Sequence, residues 1–135
     1  MYMLDTNICI YVLKNHSEQL RRKFKAVKSI CISSITYAEL CFGIENGDNA
    51  LKQSRWKQLD LFTRRLYIAP FEEGAAKEYG IIRAHLKRQG NLIGNNDLLI
   101  AAHARSLGTT LVTNNVREFN RAPGLTVENW VEEID

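Results

Sequence analysis

The sequence predicts a three-layer α/β/α domain with a mostly parallel central sheet, and three observations carry that expectation. Short β-type runs recur between longer helical stretches. Those runs are too apolar to leave one face in water, as strands covered by helices on both sides are. Nothing divides the chain: 135 residues with 45% hydrophobic content suit one domain, 1–135, with a full core, and no repeat, low-complexity tract or linker interrupts it.

The elements follow in order. "YML" at 2–4 is the first strand, and "ICIYVLKNHSEQLRRKFKAV" reads as the helical stretch after it, beginning near Asn7. "ICIS" at 30–33 is the second strand, followed by helical "SSITYAELCFGIENG" and "NALKQSRWKQLDLFTRRL". "LYIAPF" at 66–71 is the third, followed by "EEGAAKEYGIIRAHLKRQG" and "NDLLIAAHARSLG", for which Gly90 and Gly108 are natural stops. "TTLVT" at 109–113 and "LTVENW" at 125–130 complete the sheet.

Composition narrows the function only a little. A net charge of +3 helps association with phosphate-bearing or acidic partners but does not require them. Cys9, Cys31 and Cys41 are odd in number and lack the spacing of a disulfide framework or a zinc site, so they read as buried thiols of a cytoplasmic protein. No basic leader precedes an apolar run, and no run reaches the roughly 18 residues of a membrane helix, so neither export nor a membrane span is expected.

In open parallel sheets, sites form at the carboxyl ends of the strands. Asp5 stands at the end of the first strand, and Glu39, Asp97 and Asn115 fall just past other strand ends or in the first turns of helices. Each has a plain structural explanation. Asp5 could cap the helix that follows it, Asp97 could sit at a helix start because the dipole favours an acid there, and Asn115 could be a turn residue. Glu39 is harder to explain so, because its neighbours in "SSITYAELCFGI" are apolar almost all round the helix and no Arg or Lys lies within a turn. That pattern predicts a buried glutamate, which is costly without a partner.

Together the acids argue for more than they do singly. Two carboxylates about 4 Å apart repel by roughly 4 kcal/mol at an effective dielectric near 20, so a cluster needs protons or a cation. An all-oxygen ligand set suits Mg²⁺ or Mn²⁺. Zinc is disfavoured, since His16, His85 and His103 show no ligand spacing, and His103 reads as a packing or surface residue.

"MLDTNICIY", "SSITYAELCFG", "IGNNDLLIAAHARSLG" and "LVTNNVREF", in this order and spanning almost the whole chain, resemble the PIN-domain ribonucleases, specifically the VapC toxins of type II toxin–antitoxin modules. The resemblance implies a Mg²⁺- or Mn²⁺-dependent endoribonuclease, with Asp5, Glu39 and Asp97 as the family's three acids and metal ligands. It implies a VapB-type antitoxin as inhibitor, a toxin homodimer, operator DNA bound through the antitoxin, and RNA as substrate, with the initiator tRNA anticodon stem-loop suggested by likeness to the enteric members. The sequence departs from the family at Asn115, where many PIN domains carry a fourth acid; Glu118 could supply that charge or serve only in a loop. Thr6 and Asn7 match the polar residues after the first family acid, orienting it or a water, or simply starting a helix.

Hydrolysis by water at such a site leaves 5′-phosphate and 3′-hydroxyl ends. "LRRKFK" at 20–25 and Arg64–Arg65 are candidates for positioning the RNA, though charge runs of this kind also serve as solvated helix faces. Two other classes compete. A receiver or aspartyl-phosphate phosphatase would also place an acid after the first strand, but the phosphatase has a second acid two residues on, where this chain has Asn7. A non-catalytic partner-binding domain leaves Glu39 unexplained.

Overall fold

The computed structural model describes residues 1–131. The strands are β1 (Tyr2–Leu4), β2 (Ile30–Ser33), β3 (Tyr67–Ala69), β4 (Thr110–Val112) and β5 (Thr126–Glu128). They form one all-parallel sheet in the order β3-β2-β1-β4-β5. The helices are α1 (Thr6–Leu13), α2 (Glu18–Ala26), α3 (Ser34–Glu45), α4 (Lys52–Thr63), α5 (Glu73–Arg88), α6 (Asn95–Leu107) and the short α7 (Val116–Phe119).

The period of two along each strand assigns the layers. Met3, Cys31 and Leu111 point to one face, where they pack with Ile82 and Leu86 of α5 and with Leu98, Ala101 and Ala102 of α6. Leu4, Ile30, Ile32 and Val112 point to the other and meet Ile8, Leu20, Phe24, Leu40, Leu59 and Phe62 from α1 to α4. Both faces are covered, as the apolar strands require.

Several expectations change in detail. Residues 8–27 do not form one helical stretch: α1 ends at Leu13, Asn15 takes a left-handed φ of 52°, and the Ser17 hydroxyl caps α2 by accepting from Leu20 N at 3.2 Å. An asparagine tolerates that backbone better than most residues, and a serine two positions later restarts the helix. Helix α1 starts at Thr6, beside the expected Asn7. Cys9 and Cys31 are buried, but Cys41 is only partly so. His103 is a packing histidine rather than a surface one, 1% exposed, with Nδ1 2.7 Å from Ser33 Oγ and its ring against the edge of Phe71. Gly90 and Gly108 do end their helices, with φ of 63° and 67°.

The strand order determines where a site can form. From the central strand β1 the chain passes to β2 and β3 on one side, then returns to β4 and β5 on the other. The crevice at such a reversal opens at the carboxyl ends of the strands, here between β1 and β4.

Candidate metal centre

Asp5 follows β1 directly at this crevice. Its backbone N–H donates to Val112 O at 3.0 Å, which ties it to the end of β4, and its Oδ1 accepts from Ile8 N at 2.9 Å. It therefore caps α1, yet the capping role does not exhaust it. The residue is 3% exposed, and burial above all pushes its carboxyl from 3.8 to about 6, against the Thr113 hydroxyl and the Ile8 N–H, which favour ionisation, and with Glu39 adding repulsion.

Asp97 sits in the first turn of α6, where the dipole favours an acid. Its carboxyl is nonetheless raised to about 6, first by burial and then by the negative charges of Glu118, Asp5 and Glu39. Asp5, Glu39 and Glu118 thus all lie within electrostatic reach of Asp97. The four acids come from the end of β1, the middle of α3, the first turn of α6 and the short α7, so residues 5, 39, 97 and 118 meet only through the fold.

Glu39 is not buried as its sequence context predicts; it is half-exposed. Helix α3 buries Thr36, Leu40 and Ile44, whereas Ala38, Phe42 and Gly43 face outward, so its apolar outer face gave a false impression of burial. Glu39 stands at the border of the two faces with both oxygens engaged. Oε1 accepts from the Thr6 hydroxyl at 2.6 Å and Oε2 from Asn96 Nδ2 at 3.2 Å. Thr6 thus reaches Glu39 rather than Asp5, and Thr36 Oγ1 lies 3.3 Å behind it. Asn7 is exposed.

Asn115 precedes α7 and its side-chain amide donates to Glu118 Oε2, while Gly94 N donates to Glu118 Oε1 at 3.3 Å. Glu118 lies in a helix, half-exposed and facing Asp97, rather than in an exposed loop. The structure therefore brings together Asp5, Glu39, Asp97 and Glu118, with Asn115 hydrogen-bonded to Glu118. Sequence reasoning missed Thr113 and Asn96. Thr113 bears on Asp5 and accepts from Asn115 N at 2.9 Å; its only signal was a hydroxyl residue next after a strand. Asn96 had one too, as the neighbour of Asp97.

The donors can be tested against a cation. Among the described residues, no Lys or Arg forms an ion pair with any of the four acids. Nor do three acid side chains stand close enough to enclose an ion as they are: Glu39 and Glu118 are turned to neutral donors. The chemistry of the set nevertheless fits a hard divalent cation, because every donor is oxygen, two carboxyls hold protons unusually tightly, and no protein cation offsets the charge.

A groove of about 370 Å³ runs outward from Glu39 between α1, α3 and α4, walled by Ile10, Leu13, Leu40, Ile44 and Leu59, with Lys14 and Arg55 at its margin. Ile10 and Leu13 belong to the "ICIYVL" stretch, whose apolar residues exceed what one buried face needs.

Comparison with known proteins agrees with this architecture. The PIN domain family matches residues 2–125. Ribonuclease VapC2 of Rickettsia felis is 43% identical over 133 residues, covering 96% of this chain and 98% of its own. The tRNA(fMet)-specific endonuclease VapC of Shigella flexneri is 42% identical over 130 residues, covering 96% and 97%. Among solved structures, VapBC2 from Rickettsia felis bound to a promoter DNA fragment superposes with a TM-score of 0.90 at 42% identity, covering 96% of this chain and 98% of the other. DNA-bound VapBC from Salmonella typhimurium gives 0.90 at 42%, covering 96% and 97%.

Proposed function

The chain belongs to the PIN-domain family, among the VapC ribonucleases, and from that premise we propose that it is a toxin that hydrolyses RNA with a divalent cation held by Asp5, Glu39 and Asp97. The observation that carries this reading is the group of carboxylates at the β1/β4 crevice with no protein cation to offset it. The cation is Mg²⁺ or Mn²⁺, as the all-oxygen donors favour. The receiver, phosphatase and purely binding readings give way to the ribonuclease relatives.

Bound at the acids, the cation supplies charge that offsets the scissile phosphate and makes water a better nucleophile. The chain's own residues do the rest. Thr113 and Ile8 N–H hold the Asp5 carboxylate in place, and Thr6 and Asn96 hold Glu39 from opposite oxygens. Such supporting bonds fix acids within the tolerance that phosphoryl chemistry needs. The attacking water forms a bond to phosphorus and gives its proton to a carboxylate of the cluster, the P–O3′ bond breaks, and the departing O3′ takes a proton from solvent water. The products carry 5′-phosphate and 3′-hydroxyl ends. Asn115 and Glu118 support the same centre, with Glu118 supplying the fourth negative charge beside Asp97.

The substrate follows from the relatives. The enzyme of Shigella flexneri is named for tRNA(fMet), and at 42% identity this chain is read as cutting the initiator tRNA in its anticodon stem-loop. The partner is a VapB-type antitoxin, since the solved relatives are VapBC complexes. Its tail would lie in the groove of Ile10, Leu13 and Leu40 and direct a cationic side chain to Glu39, competing with the metal. The toxin acts in the cytoplasm as a homodimer and meets operator DNA only through the antitoxin. No described helix is long and apolar enough to cross a membrane.

Brief expression in bacterial cells, followed by sequencing of newly formed RNA 5′ ends, tests the substrate. One dominant new end in the initiator tRNA anticodon stem-loop supports the assignment. Cuts elsewhere, with the initiator tRNA intact, would overturn it.

A further inference from the structure

Beyond the acids, α5 brings an aromatic and a cation to the same rim. Arg83 Nη1 donates to the Tyr79 hydroxyl at 2.6 Å, and its guanidinium carbon lies 5.8 Å from the centre of the Tyr79 ring. The Tyr79 hydroxyl in turn donates to Asn95 Oδ1 at 2.7 Å. Asn95 is the first residue of α6, next to the Asn96 that holds Glu39 and two residues before Asp97. Three side chains, Arg83, Tyr79 and Asn95, are thus linked by hydrogen bonds to the helix start that carries Asn96 and Asp97.

One feature of this row is not explained by folding. Arg83 is exposed and, among the described residues, has no acid within ion-pair distance, although Arg105 and Lys77 from the same region are both paired with acids. A free arginine on a helix surface normally samples many rotamers, yet this one is held by the Tyr79 hydroxyl, so part of the ordering entropy of binding is already met. Tyr79 rests its ring on the core and leaves its hydroxyl between Arg83 and the α6 start. An oriented arginine beside a partly exposed aromatic is the equipment with which proteins take a backbone phosphate and the nucleotide attached to it.

We propose that Tyr79 and Arg83 form a nucleotide-contacting subsite beside the carboxylates, in which the guanidinium takes a phosphate of the RNA strand flanking the scissile bond and Tyr79, anchored by Asn95, sets its direction. The inference rests on the ribonuclease reading above and names how that site holds its substrate. It also supplies attraction that the acidic centre lacks: the cleft repels a polyanion until a metal is bound, whereas Arg83 is a cation tied through Tyr79 to the start of the helix that carries Asp97.

The test uses the full-length protein, a fluorescein-labelled RNA of the initiator tRNA anticodon stem-loop, and Mn²⁺. Arg83→Ala should raise KM about tenfold with kcat within a factor of about two, as expected for losing one charge-assisted hydrogen bond made alike in ground and transition states. The slope of log affinity against log salt should fall by about 0.7 to 0.9. Arg83→Lys should restore that slope but only part of KM, because lysine lacks the planar fork. Tyr79→Phe, which keeps the ring and loses the tether, should raise KM by a smaller factor. Mn²⁺ affinity without RNA should match wild type in all three.

Wild-type KM and salt slope in Arg83→Ala, with wild-type cleavage present, would overturn the subsite alone. A change in molecular mass by light scattering in Arg83→Ala would assign the pair to an interface between copies and also overturn it. A wild-type protein that neither binds nor cuts this RNA would overturn the ribonuclease reading and the subsite together.

Discussion

The Thr6 hydroxyl donates to Glu39 Oε1 at 2.6 Å across 33 positions of sequence, and Thr36 Oγ1 lies 3.3 Å from the same hydroxyl. The first turn of α1 and the middle of α3 are thereby joined at the functional rim, and Glu39 is directed without being neutralised. Thr6→Val keeps the shape of the side chain and removes the bond. We expect stability to fall by about 1 kcal/mol, the usual worth of such a bond, and kcat to fall by at least about tenfold. Unchanged kcat with a lower melting temperature would make the bond purely structural.

Asp5→Asn should abolish cleavage and stabilise the metal-free protein. In the fold its pKa rises from 3.8 to about 6, so the native state binds the proton more tightly than the unfolded chain does. The carboxylate therefore costs nothing below about pH 4 and destabilises progressively as pH climbs through 6, to roughly 3 kcal/mol at neutrality. Denaturant titrations of wild type and Asp5→Asn in EDTA should diverge at pH 7.5 and converge near pH 4. Asp97→Asn should shift the same way, by less, since its acid is only half-buried. Equal stability of wild type and Asp5→Asn at pH 7.5 would remove the strain from the account.

Why some of this was legible in the sequence and some not has a physical reason. Asp5 and Asp97 are placed by backbone features that leave local marks: the end of an apolar run, and the first turn of a helix preceded by glycine. Glu39 was placed on the right helix but at the wrong depth. Hydrophobic pattern reports where apolar residues are, and Phe42, at 67% exposure, shows that an apolar residue need not be inside. Thr113 and Asn96 escaped because their partners are distant in sequence: Asn96 meets Glu39 from 57 positions away. No local pattern encodes such a contact. The break in residues 8–27 was signalled by Asn15 and Ser17, which lay within a run otherwise rich in helix formers.

Asn115→Asp should separate the metal-free from the metal-bound protein. The amide now donates to Glu118, and a carboxylate there would replace attraction with repulsion. The melting temperature in EDTA should fall by several degrees, while Mn²⁺ affinity measured by calorimetry should rise as a further negative charge joins the cluster. Unchanged affinity would place residue 115 away from the metal.

The groove beside Glu39 offers a way to detach the antitoxin from the chemistry. Glu39 lines it and Asp5 does not, so a cationic antitoxin side chain is expected to act on Glu39 first. Gly43 also lines it, and a Cβ there would meet nothing within 4 Å, so Gly43→Phe should fold and fill the groove. Antitoxin binding should weaken by about tenfold or more, as a blocked apolar pocket implies, with RNA cleavage retained. Full antitoxin affinity in Gly43→Phe would move the docking site elsewhere.

The claim that Asp5, Glu39 and Asp97 hold a divalent cation for RNA hydrolysis is tested most directly by product-end analysis. Purified protein and Asp97→Asn would be incubated with initiator tRNA in Mn²⁺ and in EDTA, and the fragment termini determined. The account predicts fragments with 5′-phosphate and 3′-hydroxyl ends, formed by wild type in Mn²⁺ and by neither protein in EDTA, with Asp97→Asn inactive throughout. Cleavage that persists in EDTA, or fragments ending in 2′,3′-cyclic phosphate, would contradict it.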